Sequence, residues 1–141
     1  PVTNIVADNP TSEIATLGDG YWLLLYANEQ TCDQSCRDAL YTMRQSRKML
    51  GKEMDRLKRV FLHGESSPDT VFLADEHAGL IILRDEKLSA QLNNKTPAAL
   101  SAGGYFLMDP LGNLVMYFAP DVNPSDMVTD IKRLLKFSRI G

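Results

Sequence analysis

The chain has 141 residues, 44% of them hydrophobic, which is enough for one domain with a single buried core and no need of several disulfides or a structural metal. Its 15 basic and 18 acidic residues give a formal net charge of −3, and no basic patch interleaved with aromatics stands out, so electrostatics argue against a nucleic-acid partner. No apolar run approaches the roughly 20 residues that cross a bilayer, the longest being Trp22–Ala27.

Residues 1–20 are polar and broken by Pro10, Gly18 and Gly20; they read as an entry segment with one short edge strand near Ile14 to Leu17. The chain opens on Pro1 without an initiating methionine, and a signal or anchor removed just upstream is one expectation. From Tyr21 to Ala27 the residues are continuously aromatic or aliphatic, the pattern of a central strand buried on both faces. After the polar loop 28–31, Cys36, Ala39, Leu40, Met43 and Leu50 recur near helical spacing with Arg44, Arg47 and Lys48 between them. This predicts an amphipathic helix from Asp33 to Leu50, closed by Gly51 and followed by a charged turn, 52–58.

Arg59 to His63 reads as a second strand, and a short helix through Val71, Phe72 and Ala74 follows a turn-rich stretch. Gly79 to Leu83 is another apolar run, and Glu86 to Leu92 allows a helical turn or two. This alternation of strand and helix predicts parallel strands with helices packed on the sheet. Tyr105–Met108 and Leu114–Phe118 flank the turn-forming group Asp109-Pro110-Leu111-Gly112-Asn113 and predict an antiparallel hairpin, in whose turn Asp109 and Asn113 serve the backbone. Asn123 is an N-cap with Pro124 at the first helical position, and Met127, Ile131, Leu134 and Leu135 continue a closing helix. Met43, Met108, Met116 and Met127 all fall on core positions. Two parallel units, a hairpin and a final helix give the element order of an α/β thioredoxin-like fold, with a mixed central sheet and helices on both faces.

Cys32 and Cys36 are the only cysteines; Cys32 falls at the start of the first predicted helix and Cys36 one turn further in. Residues four apart on a helix share a face, so the two sulfurs can meet. A staple is the plain alternative, yet the chain-entropy model gives so small a loop only roughly 2 kcal/mol, less than longer loops gain. A helix N-terminus favours the thiolate, which attacks disulfides and binds soft metals. Arg37 supports that ionisation, while Glu29, Asp33 and Asp38 oppose it. Redox chemistry, metal binding and an inert pair therefore all remain open on the residues alone. His63, at the end of the second strand, falls on the same sheet edge as Cys32 and could approach the sulfurs, or could be a solvated residue beside Gly64; His77, in a polar stretch, reads as a surface residue.

Three segments resemble the Sco family of cytochrome oxidase assembly proteins: Tyr21-Trp22-Leu23-Leu24-Leu25-Tyr26, Cys32-Asp33-Gln34-Ser35-Cys36, and Tyr105 through Asn113. Ala39 through Gln45 and the ending Leu134 through Gly141 look like a divergent proteobacterial Sco-like branch, often membrane-anchored. The resemblance implies a thioredoxin-like domain over 21–141 on the periplasmic face of the inner membrane, held by an N-terminal helix that this chain lacks. It implies thiol–disulfide exchange or copper delivery toward a cytochrome c oxidase subunit or another assembly factor. Cys32 and Cys36 are then the catalytic pair, and Cys32, Cys36 and His63 the candidate copper ligands.

The sequence departs from that family at three places. The histidine expected before the Asp-Pro-x-Gly turn is replaced by Leu100-Ser101-Ala102-Gly103-Gly104, and the prolines usual after each cysteine are Asp33 and Arg37 here. Gly103 and Gly104 also stand where thioredoxins commonly carry a cis-proline, Pro97 being too far back. These glycines either permit a tight turn or leave room for a protein substrate. The alternative to a redox or copper function is a non-catalytic interaction module with a structural or degenerate cysteine pair.

Overall fold

The computed structural model describes residues 3–4, 20–96 and 103–138. Among them, six strands form one mixed sheet in the order β1-β6-β5-β2-β3-β4. These are β1 (Thr3–Asn4), β2 (Trp22–Asn28), β3 (Leu57–His63), β4 (Ile81–Leu83), β5 (Gly104–Met108) and β6 (Asn113–Phe118); the helices are α1 (Gln34–Lys48), α2 (Thr70–Glu76), α3 (Glu86–Lys95) and α4 (Pro124–Phe137).

All seven residues of β2 are buried, as a strand covered on both faces requires. It runs parallel to β3, with Trp22 opposite Leu57 and Asn28 opposite His63, and antiparallel to β5, with Ala27 opposite Gly104. Alternate residues feed two cores. Trp22, Leu24 and Tyr26 join Phe61, Tyr105 and Leu107 beneath α1 and α4, while Leu23, Leu25 and Ala27 join Val60, Leu62 and Phe106 against Leu88 and Leu92 of α3. Helices thus cover both faces, as the sequence predicts.

The hairpin is tied through one carboxylate. Asp109 Oδ1 accepts from the amides of Leu111 and Asn113, each at 2.9 Å, and Oδ2 accepts from Asn113 Nδ2 at 3.1 Å. Asn123 caps α4 by accepting from the Ser125 amide, with Pro124 in the first turn. Of the four methionines expected in the core, Met43, Met108 and Met127 are buried, and Met116 is half-buried against it.

Several boundaries differ from the sequence reading. α1 stops at Lys48, and Gly51 opens a 3-10 helix over Gly51–Arg56 in place of closing the α-helix. β3 begins two residues early because Leu57 is pulled into the core opposite Trp22 and its carbonyl accepts from Arg47 Nε at 2.9 Å. α3 continues to Lys95. The edge strand expected near 14–17 lies outside the described residues, whereas Thr3–Asn4 pairs antiparallel with β6.

His77 is a correction. It is 3% exposed and not a surface residue, because it caps the C-terminus of α2 and turns inward, edge-on to Phe72 with ring centroids 5.7 Å apart. Arg59 is buried beside it at 6% exposure, donating from Nη2 to the Ala78 carbonyl, and Arg44 donates to the Glu76 carbonyl. Arg59 Nη1, Arg44 Nε and His77 Nδ1 are buried with no hydrogen-bond partner among the described residues. Burial, reinforced by the charges of Arg44 and Arg59 and opposed by Glu76, holds the His77 imidazole below its ordinary value.

The pair of glycines before β5 has its space filled. Gly103 has φ +82°, and a Cβ there would lie 2.5 Å from Tyr26 Oη; a Cβ on Gly104 would lie 2.5 Å from Tyr117 Cε1. Close packing against the two tyrosines, and not room for a substrate, accounts for both.

Two outcomes follow from these contacts. Gly103→Ala is expected to destabilise the domain by at least about 2 kcal/mol in denaturant titration, from left-handed strain and overpacking together; an unchanged midpoint would refute the contact. A histidine whose folded pKa is depressed binds fewer protons in the folded state, so its contribution is complete above the ordinary value of 6.5 and is lost as pH falls below it. Thermal stability should therefore decline between about pH 7 and pH 5.5, and His77→Gln should flatten that slope relative to the parent protein.

Candidate functional site

The cysteines sit where β2 gives way to α1. Asn28, the last residue of β2, is 7% exposed; its Nδ2 donates to Tyr26 Oη at 3.0 Å and its Oδ1 accepts from the Gln30 amide at 2.9 Å. That side chain fixes the first turn of the loop leading to Cys32. The loop ends on Asp33, the N-cap of α1, whose Oδ1 accepts from the Cys36 amide at 3.0 Å. Cys32 lies just outside the helix and Cys36 in its first turn.

The two cysteines form a disulfide with their Cα atoms 5.0 Å apart. Because Cys32 precedes the N-cap, the bridge asks no distortion of the helix. Cys36 is fully buried in the core beneath α1, while Cys32 is half-buried at its margin. Cys32 lines a notch of about 30 Å³ together with Arg37, Phe61, Pro68, Asp69, Phe72 and Leu73. A notch this small holds about one water, so a reaction partner must bring its own sulfur to the surface here.

Arg37 stacks over Phe72, its Cζ 4.2 Å from the ring centroid, and its Nη2 lies 3.9 Å from Asp69 Oδ2. Asp69 in turn caps α2, accepting from the Phe72 amide at 3.0 Å. Phe72 and Asp69 are parts of the site that the sequence reading did not single out. Asp69 ahead of an apolar run was a readable capping signal; its approach to Arg37, 32 positions away in sequence, was not.

On the other side of the first α1 turn, the rings of Tyr26 and Tyr105 meet at a tilt of 52° with centroids 5.4 Å apart, and Tyr105 Oη donates to the Ala39 carbonyl at 3.3 Å. Burial raises the Tyr26 phenol and pushes that of Tyr105 up to about 12. Neither tyrosine is ionised near neutral pH, so both act as structural supports for the loop.

His63 ends β3, half-buried, with Nδ1 donating to the Gly64 carbonyl at 2.8 Å and its ring 5.9 Å from that of Phe61. It lines a larger polar cleft of about 630 Å³, shared with Thr31, Ser66 and residues of α3. Thr31 and Ser66, their hydroxyls 3.0 Å apart, face this cleft and not the notch of Cys32. Among the described residues no group of three or more His, Cys, Asp or Glu side chains is disposed to hold a metal ion. Residues 97–102 lie outside those described, but they contain no histidine or cysteine. His63 and Cys32 thus line different cavities on this edge of the sheet.

Solved structures share this architecture. Yeast Sco1 with copper bound superposes with a TM-score of 0.67 at 18% identity, covering 88% of this chain and 81% of that one. BsSco, a member of the Sco family of cytochrome c oxidase assembly proteins described as having a disulfide switch, gives 0.64 at 14% identity, with coverages of 87% and 85%. A thiol:disulfide interchange protein of the thioredoxin family from Chlorobium tepidum gives 0.64 at 13% identity, with coverages of 86% and 84%. These likenesses establish the thioredoxin-like fold, as the order of the elements led one to expect. No curated relative matches the sequence. The model of one family spans residues 22–138, from the first residue of β2 to the C-cap of α4. By that match, and by the fold and cysteine pair it encloses, the chain belongs to the transmembrane-like, thioredoxin-like C-terminal domain family.

Proposed function

We propose that this domain performs thiol–disulfide exchange on a cytochrome c oxidase subunit or a fellow assembly factor, at the periplasmic face of the inner membrane. The observation that carries the reading is the unequal burial of the two bridged sulfurs at a strand-to-helix junction, one half-buried and one sealed. The likeness to Sco-family structures supports the choice of partner, and the family's description supports a membrane anchor upstream of this domain. No helix among the described residues is long and apolar enough to cross a membrane.

In the reducing direction, the Cys32 thiolate attacks one sulfur of the partner's disulfide, forming a mixed disulfide and releasing one partner thiolate. The Cys36 thiolate then attacks Cys32 Sγ, which closes the Cys32–Cys36 bridge and releases the second partner thiolate. Two electrons pass to the partner, its thiolates take up two protons, and a dithiol reductant resets the pair. Cys36 is suited to this resolving role because a partner cannot reach it directly.

Copper delivery is the weaker form of the proposal. Two thiolates of the reduced pair are soft donors suited to Cu(I). The third ligand is what the chain does not present at the sulfurs: His63 faces the neighbouring cleft, and the segment before β5 carries glycines. The remaining alternative, an interaction module with an inert bridge, predicts a disulfide that does not turn over.

Cys32→Ser is expected to reduce exchange with a disulfide-bearing oxidase subunit to background. Cys36→Ser should instead accumulate a mixed disulfide, visible as a reductant-sensitive band on non-reducing gels. Wild-type exchange in both variants would refute the redox reading. Titration of the reduced domain with Cu(I) against a competing chelator should give no affinity beyond that of an ordinary dithiol; tighter binding that is lost on His63→Ala would instead establish a three-ligand copper site.

A further inference from the structure

The notch that exposes Cys32 contains one basic side chain among the described residues, Arg37. Its place is fixed from two directions. The guanidinium carbon lies over the Phe72 ring, 4.2 Å from its centroid, and Nη2 is 3.9 Å from Asp69 Oδ2, while the other oxygen of that carboxylate accepts from the Phe72 amide. The first turn of α2 therefore serves as a bracket: its cap holds the arginine by charge and its third residue holds it by stacking. Nothing in the packing of the fold asks for this arrangement, since the Arg37 side chain is 41% exposed and its charged end contributes little burial. Cys32 lines the same notch as this bracket, together with Phe61, Pro68 and Leu73, and of these four it alone carries a group that can ionise.

We propose that Arg37 is a positioning residue for the sulfur chemistry, stabilising the Cys32 thiolate in the reduced pair and so selecting Cys32 as the attacking sulfur. The assignment rests on the exchange function proposed above and names the group that tunes it. The charges near the cysteines oppose one another in a defined way. Asp33, from the loop, lies against the Cys36 amide and discourages negative charge at the buried sulfur; Arg37, from α1, encourages it at the exposed one; Asp69, from α2, partly offsets Arg37. Thiolate character is thereby directed to the sulfur that a partner can reach.

The test uses the Cys36→Ser protein, in which Cys32 is the sole thiol, and follows its alkylation rate and ultraviolet thiolate absorbance against pH. Arg37→Met should move the Cys32 midpoint up by roughly half to one pH unit, lowering alkylation at neutral pH about three- to tenfold, and Arg37→Lys should retain most of the effect. Asp69→Asn, which keeps a competent capping oxygen, should move the midpoint down. An unchanged midpoint in both Arg37→Met and Asp69→Asn would overturn the assignment, and agreement of the two opposite shifts excludes general unfolding as their cause. If the midpoints move as stated while Cys32→Ser leaves the partner's redox state untouched, Arg37 is correctly placed and the exchange function is wrong. If exchange depends on Cys32 but the midpoints stand still, the function holds and Arg37 has no part in it.

Discussion

Every residue from Trp22 to Asn28 is buried, so β2 needs covering layers above and below and hydrogen-bonded neighbours on both edges. It finds these in a parallel β3 and an antiparallel β5, with α1 and α4 on one face and α3 on the other. Each buried leucine contributes about 1.5–3 kcal/mol, and no alternative register keeps all of them covered, because a slip of one residue exchanges the two cores. The strand's exit is therefore fixed in space. Asn28 extends that rigidity past the last ladder bond, holding Tyr26 with its amide nitrogen and the Gln30 amide with its oxygen. The cysteines inherit their position from this strand.

Electrostatics at the bridge follow from the local backbone as much as from tertiary contacts. The N-cap of α1 is an aspartate, so the amide that would otherwise be available to a Cys36 thiolate is already taken by a carboxylate. A cap of this kind contributes about 1 kcal/mol to the helix, and it sets a negative charge beside the buried sulfur. Stability of the oxidised form and reactivity of the reduced form are thus linked through one side chain. The bridged state is compatible with Asp33 because a disulfide carries no charge.

Legibility in the sequence tracks the range of the interaction that decides each feature. β2, the hairpin turn, the cap of α4 and the cysteine pair are set by neighbours a few residues apart, and Trp22–Ala27, Asp109–Asn113, Asn123-Pro124 and Cys32–Cys36 announce them directly. Leu57 and His77 read as turn and surface because their local surroundings in the sequence are polar. Leu57 is drawn into the sheet by its pairing with Trp22, 35 positions away, and His77 is carried inward when Arg44 and Arg59 bind the carbonyls around it. No local pattern reports either event. The bracket around Arg37 is of the same class: the cap at Asp69 is local, but the meeting of α2 with α1 is tertiary.

The glycines before β5 bear on the direction from which a partner can come. Were they an open shelf, a polypeptide could lie along the entry to β5 and meet the bridge from that side. Tyr26 Oη occupies the space beside Gly103, and Tyr117 that beside Gly104, so at these two positions the shelf is filled by side chains of the sheet itself. The surface that remains beside Cys32 is the notch under α2, walled by Phe72, Pro68 and Arg37. That face offers an aromatic ring, a proline and a held guanidinium. Only Cys32 of the two cysteines lines that notch, and its walls combine the hydrocarbon of Phe61, Pro68, Phe72 and Leu73 with the opposite charges of Arg37 and Asp69, so whatever meets the bridge from this side meets one sulfur beside a charge pair.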